Sequence, residues 1–241
     1  MKLSKRDLEK EIFRRASPLL ELLYGKFECD ESQTDKPDFA IDILKPKKSL
    51  GRLKKLRIGI EITTVDDEEF LAYTNDKRFG AEAIRKHQTA ILSGESEDIR
   101  PEKDMAVTIS SNYIYDGIFK KLENHKKYGH LGDFDELIIV CFSEMLSLNE
   151  TLFTDHLNEY TNYLLSSTNF PFDKVIFVSL RGGDPVRIYD KKKKLLSTSI
   201  IPSSELVKRH SPQIIIPIGK TVNLRDAFKK SPVVPPRAKR T

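Results

Sequence analysis

Two apolar runs of strand length constrain the fold of this chain more than any other feature. Residues 137–142 read LIIVCF and residues 175–180 read VIFVSL. A strand that is apolar along its whole length has both faces buried, as in sheets that carry helices on each side. The two runs therefore predict a sheet enclosed between helical layers.

The remaining pattern predicts how helices and strands alternate along the chain. Apolar residues at helical spacing predict a first helix from about Lys5 to Tyr24, beginning at a capping signal formed by Ser4 and Asp7. Pro18 can kink this helix, so two shorter helices remain an alternative. The segments PDFAIDIL and LRIGIEITTV alternate as strands, and we expect them to be antiparallel neighbours.

Further elements follow towards the C-terminus. We expect helices over AEAIRKHQTAIL, residues 112–128 and residues 148–167, strands over MAVTISS, ELIIVCFS, KVIFVSL and VRIYD, and short β-like pieces over LLSTSII and QIIIPIG. This order predicts an α/β fold with a central mixed sheet flanked by helices. We expect one domain over residues 1–228, followed by a basic, proline-rich, flexible tail over residues 229–241.

Composition limits where this protein works and what it binds. The chain has 241 residues, of which 39% are apolar, and it contains no apolar run near the roughly 18 residues that a membrane helix needs. The N-terminus does not resemble a signal peptide, so we expect a cytoplasmic protein that does not enter a membrane. Cys29 and Cys141 are expected to be buried thiols.

Basic residues are grouped in three blocks. They lie at 45–57, at 191–194 and in the last residues, and the net charge is +5. Such blocks are either solvated turns and tails or contacts to phosphate groups, and the pattern leaves both interpretations open.

Two acidic residues occupy matching places on the first two strands. On each strand, one face combines small and acidic or polar residues: Asp38, Ala40 and Asp42 on the first, and Gly59, Glu61 and Thr63 on the second. Neighbouring strands of this kind bring carboxylates within a few ångströms of each other. Carboxylate ligands with room left for water suit Mg²⁺ or Mn²⁺.

These strands resemble the signature of the PD-(D/E)xK nucleases. The likeness consists of PDF, the 23 positions from Asp38 to Glu61, and GIEIT, with Thr63 where the usual motif has lysine. The chain is similar to bacterial members that carry a GIE-x-T strand and a lysine-rich helix ending in tyrosine before a buried strand. Here those segments are GIEIT, IFKKLENHKKY and ELIIVCF, so the resemblance covers roughly the first 140 residues.

The resemblance implies a fold, a metal and an activity. It implies a restriction-endonuclease-like three-layer fold in which Asp38 and Glu61 hold Mg²⁺ or Mn²⁺. It also implies hydrolysis of phosphodiester bonds, in DNA rather than RNA, as in restriction, repair or phage defence. In this interpretation Thr63 hydrogen-bonds a metal-bound water, and Asp42 is the alternative ligand.

Several nucleases of this superfamily supply the missing cation from a nearby helix. Over residues 112–128, Lys121 lies at the edge of the buried stripe that contains Ile114 and Ile118, whereas Lys120 and Lys127 point the opposite way. We therefore expect Lys121 to reach the acids and to orient water or neutralise phosphate charge. A lysine that only extends its amine to solvent along a helix edge is the alternative.

Two other residues on helices are candidates for the site. His125 shares the stripe of Lys121, and we expect a core histidine there rather than a ligand. Glu9 lies within the apolar face of the first helix. Many nucleases of this fold bring an acid from that helix, and a salt bridge explains Glu9 equally well.

Three functional hypotheses follow. The first is a metal-dependent DNA nuclease, the second is a nuclease fold that has lost its chemistry and binds nucleic acid or protein, and the third is a scaffold whose acids form ion pairs. A homodimer and a partner in a defence complex are both compatible with the sequence. The chain contains no GxxxxGKS, GxSxG or HExxH segment, which excludes the common hydrolase classes that those motifs mark.

Overall fold

The computed structural model describes residues 4–33, 36–47, 55–66, 105–128, 134–202 and 206–210. The chain divides into two compact units, Met1–Asp66 with Ile109–Leu206, and Asp67–Thr108 with Val207–Thr241. The single domain over residues 1–228 stays a prediction, because most of the second unit lies outside the described residues. The tail after residue 228, AEAIRKHQTAIL and QIIIPIG also lie outside them.

The helices and strands largely follow the predicted order. They are α1 (Lys5–Tyr24), β1 (Glu28–Cys29), β2 (Phe39–Ile43), β3 (Leu56–Thr64), β4 (Met105–Ile109), α2 (Tyr113–Phe119), α3 (Leu122–Tyr128), β5 (Glu136–Ser143), a π-helical turn (Leu152–Leu157) continuing into α4 (Asn158–Ser167), β6 (Lys174–Ser179), β7 (Val186–Asp190) and β8 (Leu206–His210). No helix among the described residues is long and apolar enough to cross a membrane.

Six strands form one mixed sheet in the order β1–β2–β3–β5–β6–β7. The strands β3, β5 and β6 are parallel, whereas β1–β2, β2–β3 and β6–β7 are antiparallel pairs. The two apolar runs form the interior strands β5 and β6, every residue of which is buried. The predicted α/β class with a mixed sheet is confirmed. The strands β4 and β8 form a separate two-stranded sheet.

Helix α1 covers one face of the large sheet. It begins at Ser4, whose Oγ accepts the N–H of Asp7 at 3.1 Å. Its inward residues form one core cluster with the odd-numbered residues of β2 and the even-numbered residues of β3: Ile12, Ala16, Leu20 and Tyr24 meet Phe39, Ile41, Ile43, Ile58, Ile60 and Ile62. Pro18 does not interrupt the helix, because it lies on the exposed side, where water can bond the carbonyl left without a partner.

Helices also cover the opposite face. Phe153 of the π-helical turn stacks on Phe177 of β6 with ring centroids 5.0 Å apart, while its neighbours Ile176 and Val178 face α1. At the end of β3, α2 packs so closely that a Cβ on Gly117 would lie 2.6 Å from Val65 Cα. The main sheet therefore lies between two helical layers.

Four predicted features differ from the structure. Residues 112–128 form two helices, since Lys121 N–H bonds Ile118 O at 2.9 Å and tightens the chain between α2 and α3. The helix expected over 148–167 begins later, with a π-helical turn at Leu152. Cys141 is buried as predicted, but Cys29 is exposed on the short outer strand β1.

The fourth difference is LLSTSII, which forms no strand. Its polar groups bond to side chains of α4 instead of to a neighbouring strand. Leu195 N–H donates to Ser166 Oγ at 3.0 Å, and Thr198 Oγ1 donates to Glu159 Oε1 at 2.7 Å. Because α4 supplies these partners, the β-branched composition of the segment does not produce a ladder.

Candidate metal-binding site

Asp38 lies directly before β2, at the edge of its pairing with β3. The register pairs Phe39 with Ile60, so one further step puts Asp38 opposite Glu61. Asp38 Oδ2 accepts the N–H of Ile62 at 2.7 Å. This N–H lies on β3 beyond the last residue that pairs with β2. The backbone of β3 therefore holds this carboxylate in place, and among the described residues no other polar group bonds it.

Glu61 projects from the face of β3 that α1 does not cover. The residue is 4% exposed. Lys121, in the turn before α3, places its Nζ 2.7 Å from Glu61 Oε1, and Tyr128 at the end of α3 hydrogen-bonds the same carboxylate. Lys121 thus meets Glu61 from the α2–α3 turn, and its role as the cation that β3 lacks at Thr63 stays a prediction.

Glu61 carries less stabilisation of its charge than its burial requires. Burial raises the pKa of Glu61, and the neighbouring Asp38 carboxylate raises it further, while hydrogen bonds from Lys121 and Tyr128 only partly oppose them. Burial and the Glu61 charge likewise raise the pKa of Tyr128, so its hydroxyl keeps its proton and donates it. A further positive charge beside Glu61 and Asp38 would therefore be electrostatically favourable.

Other buried acids show what a fully compensated carboxylate looks like in this protein. Burial alone would raise the pKa of Glu136, yet hydrogen bonds from Lys174, Tyr24 and Lys192 bring it below its ordinary value. Tyr24 donates at 2.6 Å and Lys192 at 2.9 Å. Glu136 is therefore a saturated structural acid, whereas Glu61 is not.

Asp66, just beyond β3, is also bound by its surroundings. It accepts hydrogen bonds from Ser143 Oγ at 2.5 Å, Glu144 N–H at 2.6 Å and Tyr113 OH at 2.9 Å. These contacts tie the ends of β3 and β5 to α2. Its role is accordingly structural.

The donor set of Asp38 and Glu61 fits a hard divalent cation. Mg²⁺ is commonly held by one or two carboxylates and completes its shell with water and substrate phosphates. Carboxylates on directly opposed strand positions, whose Cβ atoms lie roughly 5 Å apart, can share one ion. Within the described part of the chain, no group of three or more histidine, cysteine or acidic residues lies together. The described residues therefore offer two protein ligands at this site.

The structure does not bring every predicted residue to this group. Glu9 lies on α1, whose buried residues contact the other face of the sheet, and its carboxylate is 3.5 Å from Lys5 Nζ. Thr63 shares the strand face of Glu61, but its hydroxyl bonds Thr64 O at 3.4 Å. These geometries agree with the salt-bridge alternative for Glu9 and leave the role of Thr63 a prediction.

Asp42, the alternative ligand, lies at the far end of the β2–β3 pairing. It is opposite Arg57, four positions along β3 from Glu61, which is roughly 13 Å. Arg57 Nη1 lies 3.3 Å from its carboxylate and Lys55 Nζ 3.5 Å from it. Asp42 is thus committed to ion pairs away from Glu61.

Two residues of the group were missed by the sequence reasoning. They are Tyr128 and Asn124, which hydrogen-bonds the Tyr128 side chain. The available signal was spacing, because Tyr128 follows Lys121 by seven residues and so falls on the same helix face. His125, on the same stripe as Lys121, is half-buried and packs edge-on against Phe172 with centroids 4.9 Å apart.

The first basic block is used in the architecture where the structure describes it. Arg57 Nη2 lies 2.6 Å from Asp30, in addition to its pairing with Asp42. Lys47 Nζ donates to Leu22 O near the C-terminus of α1 at 2.5 Å. These contacts favour a structural role for Arg57 and Lys47.

Comparisons with protein-family models, with curated proteins and with solved structures found no match to this chain. The case for function therefore depends on the signature residues and on their geometry.

Proposed function

We propose that this chain is a metal-dependent nuclease of the PD-(D/E)xK type that hydrolyses phosphodiester bonds of DNA. The observation that carries the proposal is the meeting of Lys121 with Glu61, 2.7 Å apart, directly beside Asp38. The strand supplies two acids but no lysine, and a neighbouring helical segment supplies the lysine. This is the variant of the nuclease constellation that the GIEIT strand requires.

The fold supports the same proposal. A restriction-endonuclease-like domain is a three-layer fold with a mixed sheet, and here helices lie on both faces of such a sheet. The acids come from the antiparallel pair β2–β3, at the point where that pair ends. The site therefore lies where the pairing of β2 with β3 ends, with Glu61 buried and Asp38 half-buried.

Each residue has a distinct role in the proposed reaction. Asp38 and Glu61 would hold Mg²⁺ or Mn²⁺, which when bound supplies positive charge and lowers the pKa of a coordinated water. Lys121 provides a fixed positive charge beside the reacting phosphate, where negative charge develops in the transition state. Tyr128 keeps the Glu61 carboxylate oriented, and Asn124 bonds Tyr128.

A cleavage assay tests this proposal. Purified protein is incubated with plasmid DNA and with RNA, in Mg²⁺, in Mn²⁺ and in EDTA. We expect DNA cleavage by the wild type only with a divalent ion, and its loss in Asp38→Asn and Glu61→Gln. Asp42→Asn is the matched control, because Asp42 lies on the same strand face and binds Arg57 instead. Undiminished cleavage by the Asp38 or Glu61 variant would refute the site.

A second candidate is a nuclease fold that binds nucleic acid without cutting it. One reason is the salt bridge itself, since Lys121 and Tyr128 both hydrogen-bond the Glu61 carboxylate that would have to bind a metal. The other is that position 63 has threonine in place of the motif lysine. Under this alternative the wild type binds DNA or RNA but leaves both intact with either metal. The same assay, run with a binding measurement, separates the two candidates.

A further inference from the structure

The second basic block forms a tight turn directly after β7. We call Lys191–Lys194 the lysine turn. Lys191 N–H bonds Asp173 O at 2.9 Å and Lys193 N–H bonds Asp190 O at 2.8 Å, so the backbone of the turn is fixed. All four side chains are exposed. A fixed turn that displays four consecutive lysines costs electrostatic repulsion, which an anionic partner would relieve.

Most of the positive charge in the lysine turn is not neutralised within the protein. Lys191 Nζ donates to Pro171 O at 2.9 Å, and Lys194 Nζ donates to Asn169 Oδ1 at 2.6 Å. Both acceptors are neutral. Lys193 has no polar side-chain partner among the described residues, and only Lys192 bonds a carboxylate, that of Glu136.

The acids around the lysine turn are mostly occupied. Asp190 lies 3.0 Å from Arg187 Nη1, and Glu136 is bound by Lys174 as well as by Lys192. Asp173 accepts the N–H of Leu137 at 2.9 Å. Among the described residues around the turn, six cations face three acids, which leaves net positive charge: Lys174, Arg187 and Lys191–Lys194 against Glu136, Asp173 and Asp190. This contrasts with Lys47, Lys55 and Arg57 of the first basic block, which bind a helix end or acids.

A continuous row of aromatic side chains joins this surface to the candidate metal site. Tyr128, which bonds Glu61, lies 6.4 Å from Phe172 between ring centroids, and Phe172 stacks on Phe170 at 5.4 Å. Phe170 in turn contacts Tyr189 of β7 at 6.2 Å. These aromatic residues are buried, and Tyr189 is two residues before Lys191, so the packed layer on the Glu61 side of the sheet extends to the strand that ends at the lysine turn.

Charge contacts along α3 support the same connection. His125 lies on α3 between Lys121 and Tyr128 and packs on Phe172. Burial lowers the pKa of His125, and the nearby charge of Lys191 lowers it further, while Asp173 acts in the opposite direction. The positive charge of Lys191 therefore acts on α3, and the exposed Lys127 adds a further positive charge on that helix.

The spacing suits a nucleic acid backbone. Glu61 is paired with Ile139, Ile139 with Val175, and Val175 with Tyr189. Three strand spacings separate Glu61 from Tyr189, which is roughly 14 Å. At about 3.4 Å per base pair along the axis of a duplex, that distance corresponds to about four base pairs.

We propose that Lys191, Lys193 and Lys194 bind the phosphate backbone of a DNA duplex, about four base pairs from the phosphate that a metal ion at Asp38 and Glu61 would position. The inference rests on the proposed nucleic acid substrate but not on cleavage. It assigns the lysine turn as a positioning surface that sets where the duplex lies across α3. Phosphate contacts of this kind supply affinity and register and no sequence specificity.

The test measures binding rather than cleavage. Binding of a fluorescent 20-base-pair duplex is titrated in EDTA at several salt concentrations. The variant K191Q/K193Q/K194Q is compared with K5Q/K10Q/K26Q, which removes the same charge from exposed positions on and just after α1, the helix on the opposite face. We expect the first variant to bind roughly tenfold or more weakly, with a slope of log K against log salt reduced by about 2 to 3. The second should remain close to wild type.

Three results would overturn the inference: no duplex binding by the wild type, equal losses in the two triple variants, or an unchanged salt slope in K191Q/K193Q/K194Q. Stronger lysine-dependent binding to phosphatidylserine vesicles than to DNA would overturn it as well. The outcome is separate from the nuclease proposal. A wild type that binds DNA through the lysine turn but never cuts it would uphold the inference and refute the nuclease.

Discussion

Glu61 has its carboxylate where little water reaches it and where a second carboxylate is its neighbour. Its raised pKa means that the folded protein favours the protonated form more than the unfolded chain does. The stability that Glu61 contributes is therefore present below the unfolded pKa of about 4.3, and is lost as pH rises through the folded pKa. This cost is what a bound divalent ion would remove.

Replacing Glu61 by glutamine tests this electrostatic account. The glutamine amide does not ionise, so the free energy of unfolding of Glu61→Gln, relative to wild type, should increase between pH 4 and pH 8 in the absence of metal. Denaturant titrations across that range measure it. Glu11→Gln is the control of opposite sign, because hydrogen bonds from Arg14 and Arg15 lower the pKa of Glu11 to about 2. A constant difference between Glu61→Gln and wild type would contradict the account.

Tyr128 is assigned as a positioning residue, acting through Glu61. Tyr128→Phe removes one donor to a buried carboxylate, and we expect a loss of about 1–3 kcal/mol in the free energy of unfolding. If Tyr128 orients a metal ligand, Mn²⁺ affinity should also fall by about tenfold. Calorimetric titration with Mn²⁺ gives that readout, and a purely structural role predicts lower stability with unchanged affinity.

How much of the site could be foreseen differs residue by residue. Asp38, Glu61 and Lys121 were predictable, because strand alternation and helical spacing determine which side chains share a face. Glu9 was placed on an apolar face correctly, but a helical wheel does not say which side of the sheet receives that face. Tyr128 was missed because a tyrosine at a helix end has many ordinary packing roles.

At the scale of elements, the strands followed their sequence patterns more closely than the later helices did. Period-two alternation and apolar runs reflect directly which residues of a strand are buried. The observed strands β2, β3, β5 and β6 lie where these patterns predict them. The break at Lys121 was not predictable, since a tightened turn between α2 and α3 preserves the same buried stripe. LLSTSII failed as a strand because its partners come from α4, a contact distant in sequence.

The packing of α2 against β3 makes a sharp element-scale prediction. A Cβ on Gly117 would lie 2.6 Å from Val65 Cα and 2.8 Å from Val65 Cβ, so the helix or the strand end must move. We expect Gly117→Ala to lower the free energy of unfolding by about 1–3 kcal/mol, despite the better helix propensity of alanine. Asp116→Ala, on the exposed side of the same helix, should change it little. Equal effects in chemical denaturation would contradict this packing.

At the scale of the whole molecule, the mixed sheet with helices on both faces followed from two short apolar runs. A helical segment precedes the first run and another connects the two runs, and strands connected through a helix are usually parallel neighbours in one sheet. The pairing of β4 with β8 could not be predicted from the sequence, because the residues of a short strand do not indicate which strand, about a hundred residues away, it pairs with. Nuclease activity requires the metal site, whereas the proposed role of the lysine turn requires only that the protein binds nucleic acid.

The most direct test of the central claim is Mn²⁺ binding to the purified, metal-free protein, measured by electron paramagnetic resonance. The wild type should bind Mn²⁺, and Asp38→Asn and Glu61→Gln should each weaken binding by more than about tenfold, while Asp42→Asn and Glu9→Gln should retain it. The midpoint temperature of thermal unfolding should rise with Mn²⁺ only in the proteins that bind the ion. Equal Mn²⁺ binding by wild type, Asp38→Asn and Glu61→Gln would contradict the assignment of these two acids as the metal site.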